Sequence, residues 1–259
     1  MTATTFDPAL CLARQTLYRF AALSLLDPRV GCWKQLNGLR RGSVLPAAVA
    51  LIRNEPGAKV KTLALAERPL DDLDPQPVFA ALPDSEAALN DEFERTFGLL
   101  VSNACPPHET EYINGKLTFQ RSQALADISG FYGAFGLQAS AQHPERPDHI
   151  TLELEFMAFL IGLQRRAMED KSANREERAA LCRDAQQRFL REHLAWWVPA
   201  FSRLMGRENS GGFYEAAGIF LAAFIASERS LLDVEATPRA APPTTRQRLQ
   251  ECDGCSLTT

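Results

Sequence analysis

Residues 150–156 alternate apolar and polar, which alone would describe a half-buried strand. The next residues, Phe156-Met157-Ala158-Phe159-Leu160-Ile161, break the period of two and carry the apolar run past strand length. A helix fits both halves. At about 100° per residue, Ile150, Leu154, Met157 and Ile161 fall on one stripe, and Leu152, Phe156, Phe159 and Leu163 form another nearly opposite. Such a helix has to be buried on two sides, which fits the interior of a helical bundle.

The start of this helix is also legible. Pro147 restricts the residue before it, and Asp148 is a preferred N-cap type whose carboxylate can accept orphan N–H groups and face the positive end of the helix dipole. His149 and Glu153 are four apart and share a face. That pairing predicts a carboxylate that favours the protonated imidazole at the rim of an apolar surface.

Elsewhere the pattern is one of helices with proline-rich joints. Asp7-Pro8 is an N-cap followed by an N1 proline; Leu10, Ala13, Leu17, Ala21 and Leu25 follow at helical spacing, and Asp27-Pro28 ends the segment. Residues 38–78 hold five prolines and predict short helices separated by turns. Asp84 is expected to cap a helix striped by Leu89, Phe93 and Phe97 and ended by Gly98. A further helix is expected over about residues 118–135, with Gly136 just beyond its end. Every apolar segment longer than eight residues matches the helical period better than alternation. The expectation is an all-α fold, a helical bundle of two lobes: residues 1–136, a hinge at 137–147 that is polar and contains Pro144 and Pro147, and residues 148–232. Residues 233–259 are poor in large apolar side chains and read as a disordered tail.

Composition narrows the function. The formal net charge is −4, and the arginines are spread along the chain, which argues against nucleic-acid binding. The most apolar stretch, residues 216–226, is too short to span a bilayer, and residues 1–8 lack a basic and apolar leader pattern, so a cytoplasmic protein that is not membrane-embedded is expected. Cys11, Cys32, Cys105 and Cys182 are scattered and read as free thiols, the helical ones packed as small hydrophobes. Cys252 and Cys255 form a C-x-x-C pair in the tail, a weak metal or redox candidate without a second pair to complete a four-ligand site. None of the four histidines has a Glu three residues earlier, and His-Glu-x-x-His, a phosphate-cradling loop and a Gly-x-Ser-x-Gly turn are all absent. Asp148, His149 and Glu153 remain the set from which a metal-dependent enzyme could be assembled, and a helical adaptor with no export role remains a third reading. No cofactor is expected.

Several motifs together resemble the TorD/DmsD/NarJ family: Leu89-x-x-x-Phe93-x-x-x-Phe97-Gly98, then Pro106-Pro107-x-Glu109-x-x-Tyr112, then Pro147-Asp148-His149-Ile150-x-x-Glu153-Leu154-x-Phe156-Met157. Phe189-Leu190-Arg191-Glu192-His193-Leu194-x-x-Trp197-x-Pro199-x-Phe201 is similar to that family's late segment, and Arg14-x-x-x-Tyr18 before Asp27-Pro28 to its first helix. The resemblance implies an all-helical cytoplasmic chaperone, not an enzyme, that binds the twin-arginine signal peptide and the apo catalytic subunit of a molybdopterin oxidoreductase, assists cofactor insertion and delays export. It implies a client-binding set of Phe93, Phe97, Pro106, Pro107, Glu109, Tyr112, Asp148, His149, Ile150 and Glu153, with Phe93, Phe97 and Tyr112 lining an apolar groove. A monomer is expected, with a dimer swapped through the hinge as the family's alternative.

Overall fold

The computed structural model describes residues 7–98, 104–113, 118–138 and 145–235, so the C-x-x-C pair and residues 236–259 of the tail expected from residue 233 lie outside the described residues, as does most of the expected hinge, while Val234 is buried. Among the described residues there are ten α-helices and no strands. They are α1 (Pro8–Leu25), α2 (Cys32–Leu39), α3 (Val44–Asn54), α4 (Gln76–Ala80), α5 (Glu86–Phe97), α6 (Thr118–Ala134), α7 (Ile150–Glu169), α8 (Arg175–Phe189), α9 (Val198–Glu208) and α10 (Phe213–Leu231). The all-α expectation holds.

Local chemistry sets most boundaries. The Asp7 carboxylate accepts from the Leu10 N–H at 2.6 Å, Pro8 fills the first turn, and α1 stops before Asp27-Pro28, which opens a separate short 3-10 turn. Helix α5 ends on Gly98, whose φ of 76° a side chain would resist. Two expected caps move by one residue. Ser85, not Asp84, caps α5, its hydroxyl accepting from the Ala88 N–H at 3.2 Å. At α7 the cap is His149, whose Nδ1 accepts from the Thr151 N–H at 3.3 Å, because the Asp148 carboxylate is turned toward another segment.

Helix α7 is the axis of the molecule. Its stripe of Ile150, Leu154, Met157 and Ile161 is fully buried; of the opposite stripe Phe156 is buried while Leu152, Phe159 and Leu163 are half-buried. It packs on α1 along one side and α8 along another. The α1 crossing is close because Gly162 faces Gln15: a Cβ there would lie 2.5 Å from the Gln15 Nε2, which donates to the Ala158 carbonyl at 3.0 Å. Helix α10 packs on α9 and α1. Gly218 permits the α9 crossing, since a Cβ would stand 2.8 Å from the Ser202 carbonyl oxygen.

One hydrophobic cluster runs from Leu10 to Val234 and draws on both expected lobes. Among the described residues, no helix is long and apolar enough to cross a membrane. Cys11, Cys32, Cys105 and Cys182 are all buried and outside any disulfide, and burial pushes the Cys11 thiol up to about 11 and that of Cys32 to about 12.

Candidate functional site

The two motif peptides meet. His108 and His149 form an isolated antiparallel bridge, in which the Glu109 N–H donates to the Asp148 carbonyl at 3.0 Å and the Ile150 N–H to the Pro107 carbonyl at 2.9 Å. The side chains reinforce it. The Asp148 carboxylate accepts from the Thr110 N–H at 3.1 Å, the Thr110 hydroxyl at 2.8 Å and the Arg146 guanidinium at 2.8 and 3.0 Å. The Tyr112 hydroxyl donates to the Pro106 carbonyl at 3.0 Å, and the Tyr132 hydroxyl of α6 donates to the Pro147 carbonyl at 2.8 Å.

Three acidic side chains, Glu109, Asp148 and Glu153, are buried around this junction, each with its own donors. Glu109 accepts from the Trp196 indole N–H at 3.0 Å and pairs with the His193 Nδ1 at 3.1 Å. Glu153 accepts from the Trp197 indole at 3.3 Å. Burial, reinforced by the Glu109 and Asp148 charges, holds the Glu153 carboxyl well above the usual carboxylate range. Burial raises Glu109 as well, against the lowering effect of His193 and Trp196.

His149 corrects the expected ion pair with Glu153. Its Nδ1 lies 2.7 Å from the Thr151 hydroxyl, and burial pushes the imidazole down to about 4, so it is neutral near pH 7. The metal-enzyme set falls with it: the ligand atoms of Asp148, His149 and Glu153 do not converge among the described residues, and the Asp148 oxygens are occupied by Thr110 and Arg146.

The expected groove walls are core instead. Phe97 packs edge-on to Tyr214 at 4.9 Å and beside Phe201 at 6.0 Å, Phe93 sits 5.0 Å from Phe97, and Tyr112 lies tilted against Trp197 at 5.1 Å. Phe97 and Tyr112 are buried and Phe93 half-buried, so they support the site from beneath. An open surface lies next to them. A cleft of about 660 Å³ between α6 and the segment after α8 is floored by Ile113, Trp196 and Phe119, with Glu109, Asp127, Glu192 and His193 on its walls. Phe119 is 76% exposed there. A second cleft of about 520 Å³, on the side of α6 facing α8, is lined by Phe131, Phe135 and Leu181 and shares Gln123 and Asp127 with the first.

His193, Trp196, Thr110, Arg146 and Asp127 are the site residues that sequence reasoning missed. His193 and Glu192 lie in a π-helical turn, Leu190–Leu194, that prolongs α8; the Ala195 N–H reaches back five residues to the Leu190 carbonyl at 2.8 Å. The available signal was the Arg191-Glu192-His193-Leu194 string, rich in titratable groups inside an aromatic segment.

The model of the nitrate reductase delta subunit family matches residues 64–203, just over half of the chain. Among curated proteins, the chain is 42% identical over 80 residues to a perchlorate reductase assembly chaperone protein of Dechloromonas aromatica, covering 30% of this chain and 33% of that one. It is 34% identical over 117 residues to a selenate reductase assembly chaperone protein of Thauera selenatis, covering 45% and 56%. It is 26% identical over 142 residues to chaperone protein TorD of Aliivibrio salmonicida, covering 55% and 63%. The matched segments thus span from a third to just under two thirds of these relatives' lengths.

Proposed function

This chain belongs to the nitrate reductase delta subunit family, and from that premise we propose that it is a cytoplasmic assembly chaperone for the catalytic subunit of a molybdenum-cofactor oxidoreductase. It binds the subunit's twin-arginine leader, assists cofactor insertion into the apo form and delays export. It catalyses no reaction itself and acts as a monomer.

The observation that supports this reading best is the pair of clefts flanking α6. Ile113, Phe119 and Trp196 offer apolar surface beside the carboxylates of Asp127 and Glu192. A leader carries an apolar segment next to basic residues, and that juxtaposition matches the surface in both respects. Burying three or four Leu-sized side chains contributes about 1.5–3 kcal/mol each, and ordering a flexible peptide costs about 2–5 kcal/mol. The balance accommodates the roughly −8 kcal/mol of a micromolar complex. The joined motif peptides, with Pro106, Pro107, Glu109, Asp148, His149, Ile150 and Glu153, hold one wall of this surface in register, and Phe93, Phe97 and Tyr112 buttress it.

The test is calorimetry with a synthetic twin-arginine leader peptide of a molybdenum-cofactor oxidoreductase. Binding at micromolar concentration or tighter, weakened about tenfold or more by Phe119→Asp, the loss of about one buried aromatic anchor, is expected. Absence of heat at high micromolar concentration overturns the reading.

A further inference from the structure

The imidazole of His193 is held from behind by one carboxylate and faces two others in front. Its Nδ1 faces the buried Glu109 carboxylate at 3.1 Å, and the Trp196 indole N–H fixes that carboxylate from the other side at 3.0 Å. A ring whose Nδ1–H donates to a carboxylate presents the Nε2 lone pair outward, the second-layer arrangement that metal-ligating histidines use. Nε2 is buried and makes no hydrogen bond among the described residues. In front of it are two carboxylates. Asp127 Oδ2 of α6 stands 3.5 Å away, and an oxygen of Glu192 completes a set of three ligand atoms that all lie within 4.8 Å of one another. Two ligands bound at about 2.0–2.2 Å in tetrahedral geometry are separated by about 3.4 Å, so the His193–Asp127 spacing is already that of a shared ion. In the tautomer that donates Nδ1–H to Glu109, an ion between Nε2 and these carboxylates would satisfy all three groups.

We propose that Asp127, Glu192 and His193 form a site for a divalent transition ion of the zinc type, with Glu109 as the group that orients the imidazole. One nitrogen and two oxygen ligands leave a fourth position, which opens into the 660 Å³ cleft. The Glu192 carboxylate also accepts from the Arg188 Nε at 3.0 and 3.2 Å and from the Arg191 guanidinium at 3.4 Å, and an ion would have to take one of its oxygens from these contacts. The ion would tie α6, which carries Asp127, to the π-helical turn that carries Glu192 and His193. The ion would use the same Asp127 and Glu192 carboxylates that the proposed leader site presents, so the two would compete there, and a metal titration without any leader tests the ion separately.

The experiment titrates the full-length, metal-stripped protein with cobalt(II) chloride and zinc chloride. About one equivalent of Co²⁺ should bind with a d–d spectrum typical of nitrogen and oxygen ligands and no thiolate charge-transfer band, and Zn²⁺ should displace it and raise the Tm. Asp127→Asn and Glu192→Gln, both at partly exposed side chains, should each weaken binding by about 10–100-fold or more while leaving the Tm in EDTA unchanged. His193→Gln should abolish it, and Cys252→Ser with Cys255→Ser should leave it intact. The proposal is overturned if no stoichiometric binding is seen, if the Asp127 and Glu192 variants bind as wild type, or if binding disappears with the two tail cysteines.

Discussion

Arg14 of α1 and Glu228 of α10 form a bidentate ion pair, with both hydrogen bonds at 2.7 Å and neither side chain exposed. Burial opposes the charge on Arg14, and the facing carboxylate more than restores it, so the guanidinium is held above its ordinary value. A buried pair of this kind is weak evidence for net stabilisation, but breaking it leaves one buried charge uncompensated.

Arg14→Met should therefore cost about 3–5 kcal/mol, a large share of a stability of about 5–15 kcal/mol. The double variant Arg14→Met with Glu228→Leu should recover most of that loss. Urea denaturation of the three proteins measures it, and a double variant no more stable than the single one contradicts the account.

Asp148 behaves as a clamp in this fold. Its removal leaves the buried Thr110 N–H without its acceptor, while the part-exposed Arg146 keeps Thr110 and Glu111, so Asp148→Ala should cost about 1–3 kcal/mol, at or above the loss of an ordinary helix cap. Asp148→Asn, which keeps an acceptor oxygen for Thr110, should cost less. No loss in either variant would show that the cross-peptide contacts carry little stability.

His149 confers a pH dependence whose sign follows from its depressed value. The unfolded chain binds a proton near the ordinary histidine value and the folded one only near about 4, so stability is full above that ordinary value and falls as pH drops from about 6.5 to about 4. The contribution is on the order of 3 kcal/mol. The stability difference between wild type and His149→Gln, measured across that window, should shrink as pH falls; a constant difference would rule this out.

Glu153 has the opposite sign. Its folded value is raised, so the fold holds a proton that the unfolded chain releases, and stability declines as pH rises past the unfolded carboxyl value. Glu153→Gln mimics the protonated form. Its stability relative to wild type should increase between about pH 5 and about pH 8, read from paired denaturation curves, and a flat or falling difference would contradict the assignment.

The sequence carried the helices because their signals are local: the 3.6 period of α7, the Asp7-Pro8 start and the Gly98 stop depend on neighbours within a turn. It misread the surroundings of Asp148 and His149 because those are decided by Thr110, 38 residues away, and a carboxylate offered three external donors abandons the cap to the next side chain. The aromatic groove failed for a related reason. Periodicity says that Phe93 and Phe97 share an apolar face, but not whether α9 and α10 already cover it. The Glu109–His193 contact joins residues 84 apart through a π-helical turn, which no helical repeat announces.

The pairing of α1 with α10 also sets a clock for the protein's own synthesis. Arg14 and Glu228 are separated by 214 positions, which at about 5–20 residues per second takes on the order of 10–40 s to translate. During that interval Tyr18 and Phe20 lack Phe224 and Phe220, their aromatic partners on α10, although α7 can already cover another side of α1. A ribosome-stalled chain ending before α10 should therefore remain sensitive to protease in α1, and the core closes from its two ends only after α10 has emerged.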